Sequence, residues 1–361
     1  MTQIPEHPDE ITAEWLQGVL GRSFPDVRVK SVSSDQVEQG TNRNARLHVE
    51  YQEDAGAPLK FFAKLPPAGE PQRGLVLGSG MGRREILFYR HGTRRLPLRI
   101  PRVYAAEIDD EGQGFVLLIE DLEDSGCIFP EPVQGVGLPL AERAMDDLAA
   151  LHAHFAQTES ENGPLGWVEP PLCQPEFASG MLTHALKRRR DKMNPTFARI
   201  AERYVSDPLA VHRAWEQTED HGVTHGDTHL TNLFVDQGRL GYFDWGCLAR
   251  GPAIRDVSYF ICMALSIEDR REHEESLLAR YRERRIQLGG QPASLKQAWQ
   301  DFRLQTSYTV IAAAPTLLHP EDRQTPDARY ARLFAARAMA AVEDHASDES
   351  LAEAVSEEKK R

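Results

Sequence analysis

The sequence predicts an α+β chain of two lobes, a small antiparallel β-rich N-lobe and a larger, mainly helical C-lobe. Three observations carry this. Apolar runs of strand length, separated by turn residues, fill the first third. Longer segments with apolar residues at helical spacing fill most of the rest. A short polar hairpin stands between helical segments at 223–246. At 361 residues the chain has room for two lobes with ample core.

The elements follow in order. Residues 12–20 read as a helix, with Thr12 as N-cap and Trp15, Leu16, Val19 and Leu20 on the apolar face. Residues 27–37 and 45–51 read as strands around the polar turn 38–45. Such a turn can lay backbone N–H groups over phosphate oxygens. Gly40 is its only glycine, however, so a plain hairpin is the competing reading. The next strand, 59–65, carries Lys64 near its end, where an apolar residue is usual. Lys60 shares its strand face by parity. Residues 66–82 are Gly/Pro-rich and read as a loop, and 82–91 as a helix bearing Glu85. Glu85 is either a partner for Lys64 or a surface residue. Residues 100–107 and 114–120 form a hairpin around the turn 109–112.

Beyond it, 140–155 is a strong helix through Ala144, Leu148, Leu151 and Phe155, with His152 and His154 read as packing residues. Residues 177–205 are mostly helical and carry the basic run 187–192, a solvated face or a clamp for an anionic substrate. Asp256 is placed to cap a helix at 257–265. Residues 268–346 are again helical, with Trp299, Phe302, Leu304, Tyr308 and Leu333 offering apolar faces. The charged, repetitive stretch 347–361 reads as a disordered tail.

Composition narrows the function. A net charge of −13 argues against a general binder of nucleic acid or anionic membrane. The four cysteines are scattered with no CxxC pair, so neither a zinc site nor a disulfide framework is indicated. The opening residues lack the basic start and apolar run of a signal peptide, and no apolar stretch nears the ~20 residues of a membrane span. A cytoplasmic enzyme is the expectation.

The chemistry concentrates at 223–246. Residues 233–235 and 240–243 read as two short strands joined by the turn 236–239, with Gly238 free to take positive φ. Asn232 enters this hairpin and Asp244 leaves it, so their side chains are expected side by side. Asp227 lies on the loop feeding the first arm. An amide and a carboxylate suit Mg2+, a hard cation that keeps waters and substrate phosphates as its other ligands. Asp227 is then left to accept a proton from a substrate hydroxyl. The order H-x-D-x-x-x-x-N followed by D-x-G is that of a kinase catalytic loop and metal loop. His229 makes an H-x-x-x-H pair with His225, but Gly226-Asp227 breaks the H-E-x-x-H pattern of a zinc hydrolase.

At His225-Gly226-Asp227, Asn232 and Asp244-Trp245-Gly246 the chain resembles the aminoglycoside phosphotransferase, choline kinase and ecdysteroid kinase-like superfamily of small-molecule kinases. Gly226 and Trp245 stand where protein kinases usually carry arginine and phenylalanine, and both favour the small-molecule branch. The run 251–260, with its Asp256, also looks like that branch, and the resemblance spans roughly 37–265. It implies a protein-kinase-like two-lobed fold, with an N-terminal lobe at 1–118, a hinge at 119–126, a catalytic and substrate lobe at 127–346 and a tail at 347–361. It further implies ATP between the lobes, its phosphates held by Lys64 with Glu85 as ion-pair partner, and adenine met by backbone groups from Glu120 to Leu122. Asn232 and Asp244 hold Mg2+, Asp227 is the catalytic base, and Asp256 supports the catalytic loop. The implied partner is a small molecule bearing a hydroxyl, an aminoglycoside or a hydrophobic, steroid-like alcohol. A nucleotide-binding pseudokinase acting as a regulatory module is the alternative.

Overall fold

The computed structural model describes residues 4–37, 41–163, 165–218, 220–319 and 326–360. Gly40 lies outside the described residues. The chain packs as two compact units, Met1–Ile128 with Val235–Leu248, and Phe129–Phe234 with Ala249–Arg361.

The first unit opens with α1 (Ala13–Leu20), where the Thr12 hydroxyl accepts the Trp15 N–H at 3.2 Å. Then come β1 (Arg28–Val37), β2 (Arg43–Glu53), β3 (Lys60–Leu65), the short helices α2 (Gln72–Gly78) and α3 (Met81–Leu87), β4 (Val103–Ile108) and β5 (Phe115–Glu120). The five strands form one antiparallel sheet in the order β1-β2-β3-β5-β4. Side chains alternate across a strand, so Phe61, Ala63 and Leu65 enter a core shared with Leu16, Leu20, Leu47 and Leu118. Lys64 is thereby turned to the opposite face, in register with Asn44 on β2 and Leu117 on β5. A one-residue slip would put its ammonium into that apolar core, so burial and register enforce each other.

The stretch read as a loop before α3 contains α2, a difference from expectation. Val76 is fully buried there, and the Glu70 carboxylate accepts the Gly74 N–H at 2.9 Å. A buried anchor and a capped donor suffice for two turns whose glycines conceal them in sequence.

The second unit begins with α4 (Leu138–Asn162), α5 (Pro175–Arg189), α6 (Pro195–Ser206) and α7 (Pro208–Trp215), each with proline in its first turn. Proline there loses no hydrogen bond and presets φ. β6 (His221–Thr224) follows. Within β7 (Leu233–Asp236) the chain passes into the first unit, and β7 and β8 (Arg239–Tyr242) form a two-stranded sheet. Gln237 and Gly238 both take positive φ, 49° and 77°, the turn that matches strand twist. Back in the second unit, β9 (Ala249–Pro252) pairs with β6. Then come α8 (Ala253–Ala264), α9 (Ile267–Gln287), α10 (Leu295–Thr306), α11 (Thr309–Ala313), α12 (Pro326–Asp344) and α13 (Ser347–Glu358). Every residue of α8 is buried, with α4, α9, α10 and α12 around it. Its polar residues Arg255, Asp256 and Ser258 are hydrogen-bonded within that setting, as buried polar groups must be.

The tail is a correction. Residues 347–358 form α13, which buries Leu351 and Val355 against the bundle and packs on α6 and α7. Its charges meet opposite charges, Asp348 with Arg199, Glu358 with Arg213 and Lys359 with Asp207. The i, i+4 apolar pair is what composition hid. Among the described residues no helix is long and apolar enough to cross a membrane.

Candidate active site

In the first unit, three residues far apart in sequence meet. Lys64 Nζ lies 2.9 and 2.7 Å from the Glu85 carboxylate oxygens and 3.1 Å from Asp244 Oδ1. Lys64 and Glu85 side chains are only 8% and 4% exposed, while Asp244 is 39% exposed. Burial works against the Lys64 ammonium, but the Asp244 and Glu85 charges outweigh it, and its pKa is raised. Burial raises the Glu85 carboxyl, Lys64 opposes that and Asp244 adds to it. The two short contacts to Nζ have the geometry of an ion pair. Lys60, the other lysine on that strand face, is bound to Asp124 at the surface.

Asp244 sits in the left-handed region at φ 63°. This conformation costs a non-glycine residue energy, although Asp tolerates it better than most. The surroundings over-determine it. Trp245 is fully buried, stacks on Phe88 at 3.9 Å and 12°, and donates its backbone N–H to Glu85 at 3.3 Å. Asp244 Oδ1 thus faces Lys64, while Oδ2 has no hydrogen-bond partner among the described residues.

The segment read as a hinge is pinned by its side chains. Arg99 holds Glu120 through both carboxylate oxygens, at 2.9 and 2.8 Å, and the Arg102 N–H adds a third bond at 3.0 Å. The Leu122 carbonyl accepts the Cys127 N–H at 2.9 Å. Asp121, a buried carboxylate that sequence reading passed over, pairs with Arg46 and accepts the N–H groups of Glu123 and Asp124.

In the second unit, the loop after β6 carries Asp227. Gly226 takes φ 82°, open to glycine at no steric cost, which accounts for its place in the His-Gly-Asp run. Asp256, in the first turn of α8, receives the N–H of His225 at 2.7 Å and of Gly226 at 2.8 Å. Its own carbonyl accepts the Thr228 hydroxyl at 2.8 Å. Asp256 therefore supports this loop, and α8 starts four residues earlier than a cap at 256 would allow. His152 is fully buried and bridges Asp256, at 3.3 Å, to the Tyr281 hydroxyl, at 2.8 Å. Its helical position predicted packing alone, and no local signal marks this contact.

Asn232 is 5% exposed at the end of a 3-10 turn over Leu230–Asn232. Its Nδ2 lies 2.9 Å from both the carbonyl oxygen and Oδ2 of Asp227. His229 Nε2 is 3.3 Å from the same Oδ2. Burial pushes the Asp227 carboxyl up, but His229, then His225 and Asn232, pull it further down, and the net pKa is below the ordinary Asp value. Asp227 stays ionised at neutral pH.

The donor chemistry fits a hard dication. With Nδ2 committed to Asp227, Asn232 has only its amide oxygen left to offer, and Asp244 offers Oδ2. Both are oxygen ligands of the kind magnesium takes. Among the described residues no group of three or more His, Cys, Asp or Glu is arranged to hold a metal.

Residues 39–304 match the phosphotransferase enzyme family known as APH, most of the chain. No curated protein matches. Among solved structures, choline kinase from Cryptosporidium parvum Iowa II is similar, with TM-score 0.58 and 12% identity over 93% of this chain and 97% of that one. So is choline kinase LicA from Streptococcus pneumoniae, with TM-score 0.50 and 14% identity over 92% and 98%. At such identities the likeness is one of fold, a five-stranded antiparallel sheet followed by a mainly helical region. On the extent of the family match and the agreement of fold, this chain belongs to the phosphotransferase enzyme family and is a small-molecule kinase.

Proposed function

We propose that the protein transfers the γ-phosphoryl group of ATP to a hydroxyl of a small molecule, with Asp227 as the proton acceptor. The observation that carries this reading is the Asp227 carboxylate itself. It is ionised, one oxygen is held by Asn232 and His229, and Oδ1 has no partner among the described residues. An acceptor hydroxyl can donate to that oxygen. Lys64, fixed by Glu85, is the group to hold nucleotide phosphates, and backbone groups at 120–122 are assigned to adenine. Asn232 and Asp244 are assigned to Mg2+, which when bound draws charge from the β- and γ-phosphate oxygens. Transfer of this kind needs little covalent help, so positioning and charge stabilisation carry the rate.

The acceptor is an alcohol, either aminoglycoside-like or hydrophobic and steroid-like. A phosphate-transfer screen with ATP and Mg2+ across amino-sugar and alcohol libraries tests this. Asp227→Ala and Asp244→Ala are each expected to lower turnover at least ~10²-fold, the scale of a lost acid–base or electrostatic contribution. Full turnover by Asp244→Ala would contradict the reading. Nucleotide binding without turnover of any acceptor would point to a regulatory pseudokinase instead.

A further inference from the structure

We propose that His229 is a positioning residue that decides which oxygen of Asp227 receives the acceptor proton. The inference rests on Asp227 being the proton acceptor, and it concerns a residue that the magnesium and phosphate assignments leave unused.

Asp227 is held through its backbone and through one carboxylate oxygen. Its N–H faces His225 Nδ1 at 3.3 Å, its carbonyl takes the Asn232 amide, and Oδ2 takes both that amide and His229 Nε2. A carboxylate only accepts hydrogen bonds, so His229 can engage Oδ2 only with Nε2 protonated, and the proposal requires that form. The other nitrogen, Nδ1, lies 3.0 Å from the Thr231 hydroxyl and 3.4 Å from the Tyr330 hydroxyl on α12, two groups able to donate to it. A ring protonated at Nε2 and accepting at Nδ1 satisfies these contacts. Asn232 Nδ2 also lies 3.3 Å from His229 Nε2, and its two hydrogens have shorter acceptors, both at 2.9 Å, on Asp227.

The ring cannot easily turn away. Phe334 meets it edge-to-face at 5.4 Å and 89°, and Tyr259 at 6.1 Å and 66°. Its side chain is 16% exposed. A carboxylate with no preference between its oxygens can present either one to a substrate. Two donors on Oδ2 remove that freedom and leave Oδ1 for the acceptor. In the transfer, the acceptor O–H bond breaks and its proton goes to Oδ1. The acceptor oxygen bonds to the γ-phosphorus, whose bond to the bridging oxygen breaks, and ADP departs with that electron pair.

The test separates packing from hydrogen bonding. His229→Leu fills the aromatic slot without the donor, while His229→Gln restores an N–H at the reach of Nε2. MgATP turnover, with water as acceptor and with any alcohol found by the screen, is measured for both and for Asp227→Asn. His229→Leu is expected to lower kcat ~10–10²-fold, the cost of about an ångström of misplacement, with KM for ATP changed by less than ~3-fold. His229→Gln should recover most of the loss. Wild-type kcat in His229→Leu, with Asp227→Asn inactive, would overturn the inference and spare the role of Asp227. Full activity in Asp227→Asn would overturn that role instead. Imidazole nitrogen NMR of the wild-type protein gives a readout independent of turnover. A neutral ring protonated at Nε2 supports the inference, and one protonated at Nδ1 overturns it.

Discussion

Removing Lys64 should destabilise the first unit more than removing Lys64 and Glu85 together. Lys64→Met deletes the cation and leaves Glu85, 4% exposed, facing Asp244 with no compensating charge. Breaking a buried pair in this way costs ~3–5 kcal/mol, because the remaining charge has lost both water and partner. At ~2–4 °C per kcal/mol for units of ~150–250 residues, the melting point should fall by ~6–20 °C. In Lys64→Met/Glu85→Leu the buried charge is gone as well. Asp244 then loses a partner, and at 39% exposure water can solvate it, while the buried Trp245 N–H loses its 3.3 Å bond to Glu85. The double variant should recover most of the loss, a coupling of ~2–3 kcal/mol in a double-mutant cycle. Urea unfolding and calorimetry of the four proteins measure the cycle. If the single variant is as stable as wild type, or if the two losses simply add, the argument from burial is wrong. The double variant should still lack phosphoryl transfer, which separates stability from chemistry.

Other outcomes follow from particular contacts. Glu274 is bound to Arg270 at 2.7 Å and to His345 at 3.1 Å, and although burial pushes its carboxyl up, these partners bring it below its ordinary value. A depressed folded pKa contributes stability above the unfolded value of ~4.3 that disappears as pH falls through the folded one. Glu274→Gln should therefore be less stable at neutral pH and lose less stability on acidification, and equal acid slopes in urea titrations would refute this. Gly135 has φ +70°, and a Cβ there would lie 2.6 Å from the Ala264 carbonyl oxygen. Gly135→Ala should cost ~1–3 kcal/mol, read by the same unfolding assay. Truncation after Ala346 removes Leu351 and Val355 from the core and should cost several kcal/mol at ~1.5–3 per buried side chain, so unchanged unfolding would show that α13 contributes nothing.

Much of the architecture was legible because it is written in short-range patterns. The alternation along β3 put Lys64 on the face away from the α1 core, and the pairings β1-β2, β2-β3 and β4-β5 join strands consecutive in sequence, whereas β3-β5 is a crossover that no turn announces. Gly238 marked the β7–β8 turn, and Thr12 marked the start of α1. Errors fell where long-range burial overrides composition. The helix α2 is anchored by Val76, and α13 is folded by an apolar pair whose acidic neighbours meet Arg199 and Arg213. His152 read as packing, yet it joins Asp256 to Tyr281 across α4, α8 and α9.

The candidate site divides in the same way. Sequence alone determined the chemical inventory, with Asp227, Asn232 and Asp244 at kinase spacing and a lysine on a strand that would otherwise be apolar. It left open whether Lys64 or Lys60 mattered, and whether Glu85 was a partner or a surface residue. Tertiary structure shows their contacts, burying Lys64 between Glu85 and an Asp244 that is 180 residues away, and sending Lys60 to Asp124. It also singled out His229, whose importance lies in the oxygen its ring faces. Propensity and periodicity act over a few residues, whereas the fate of a charge depends on which distant groups share its loss of water.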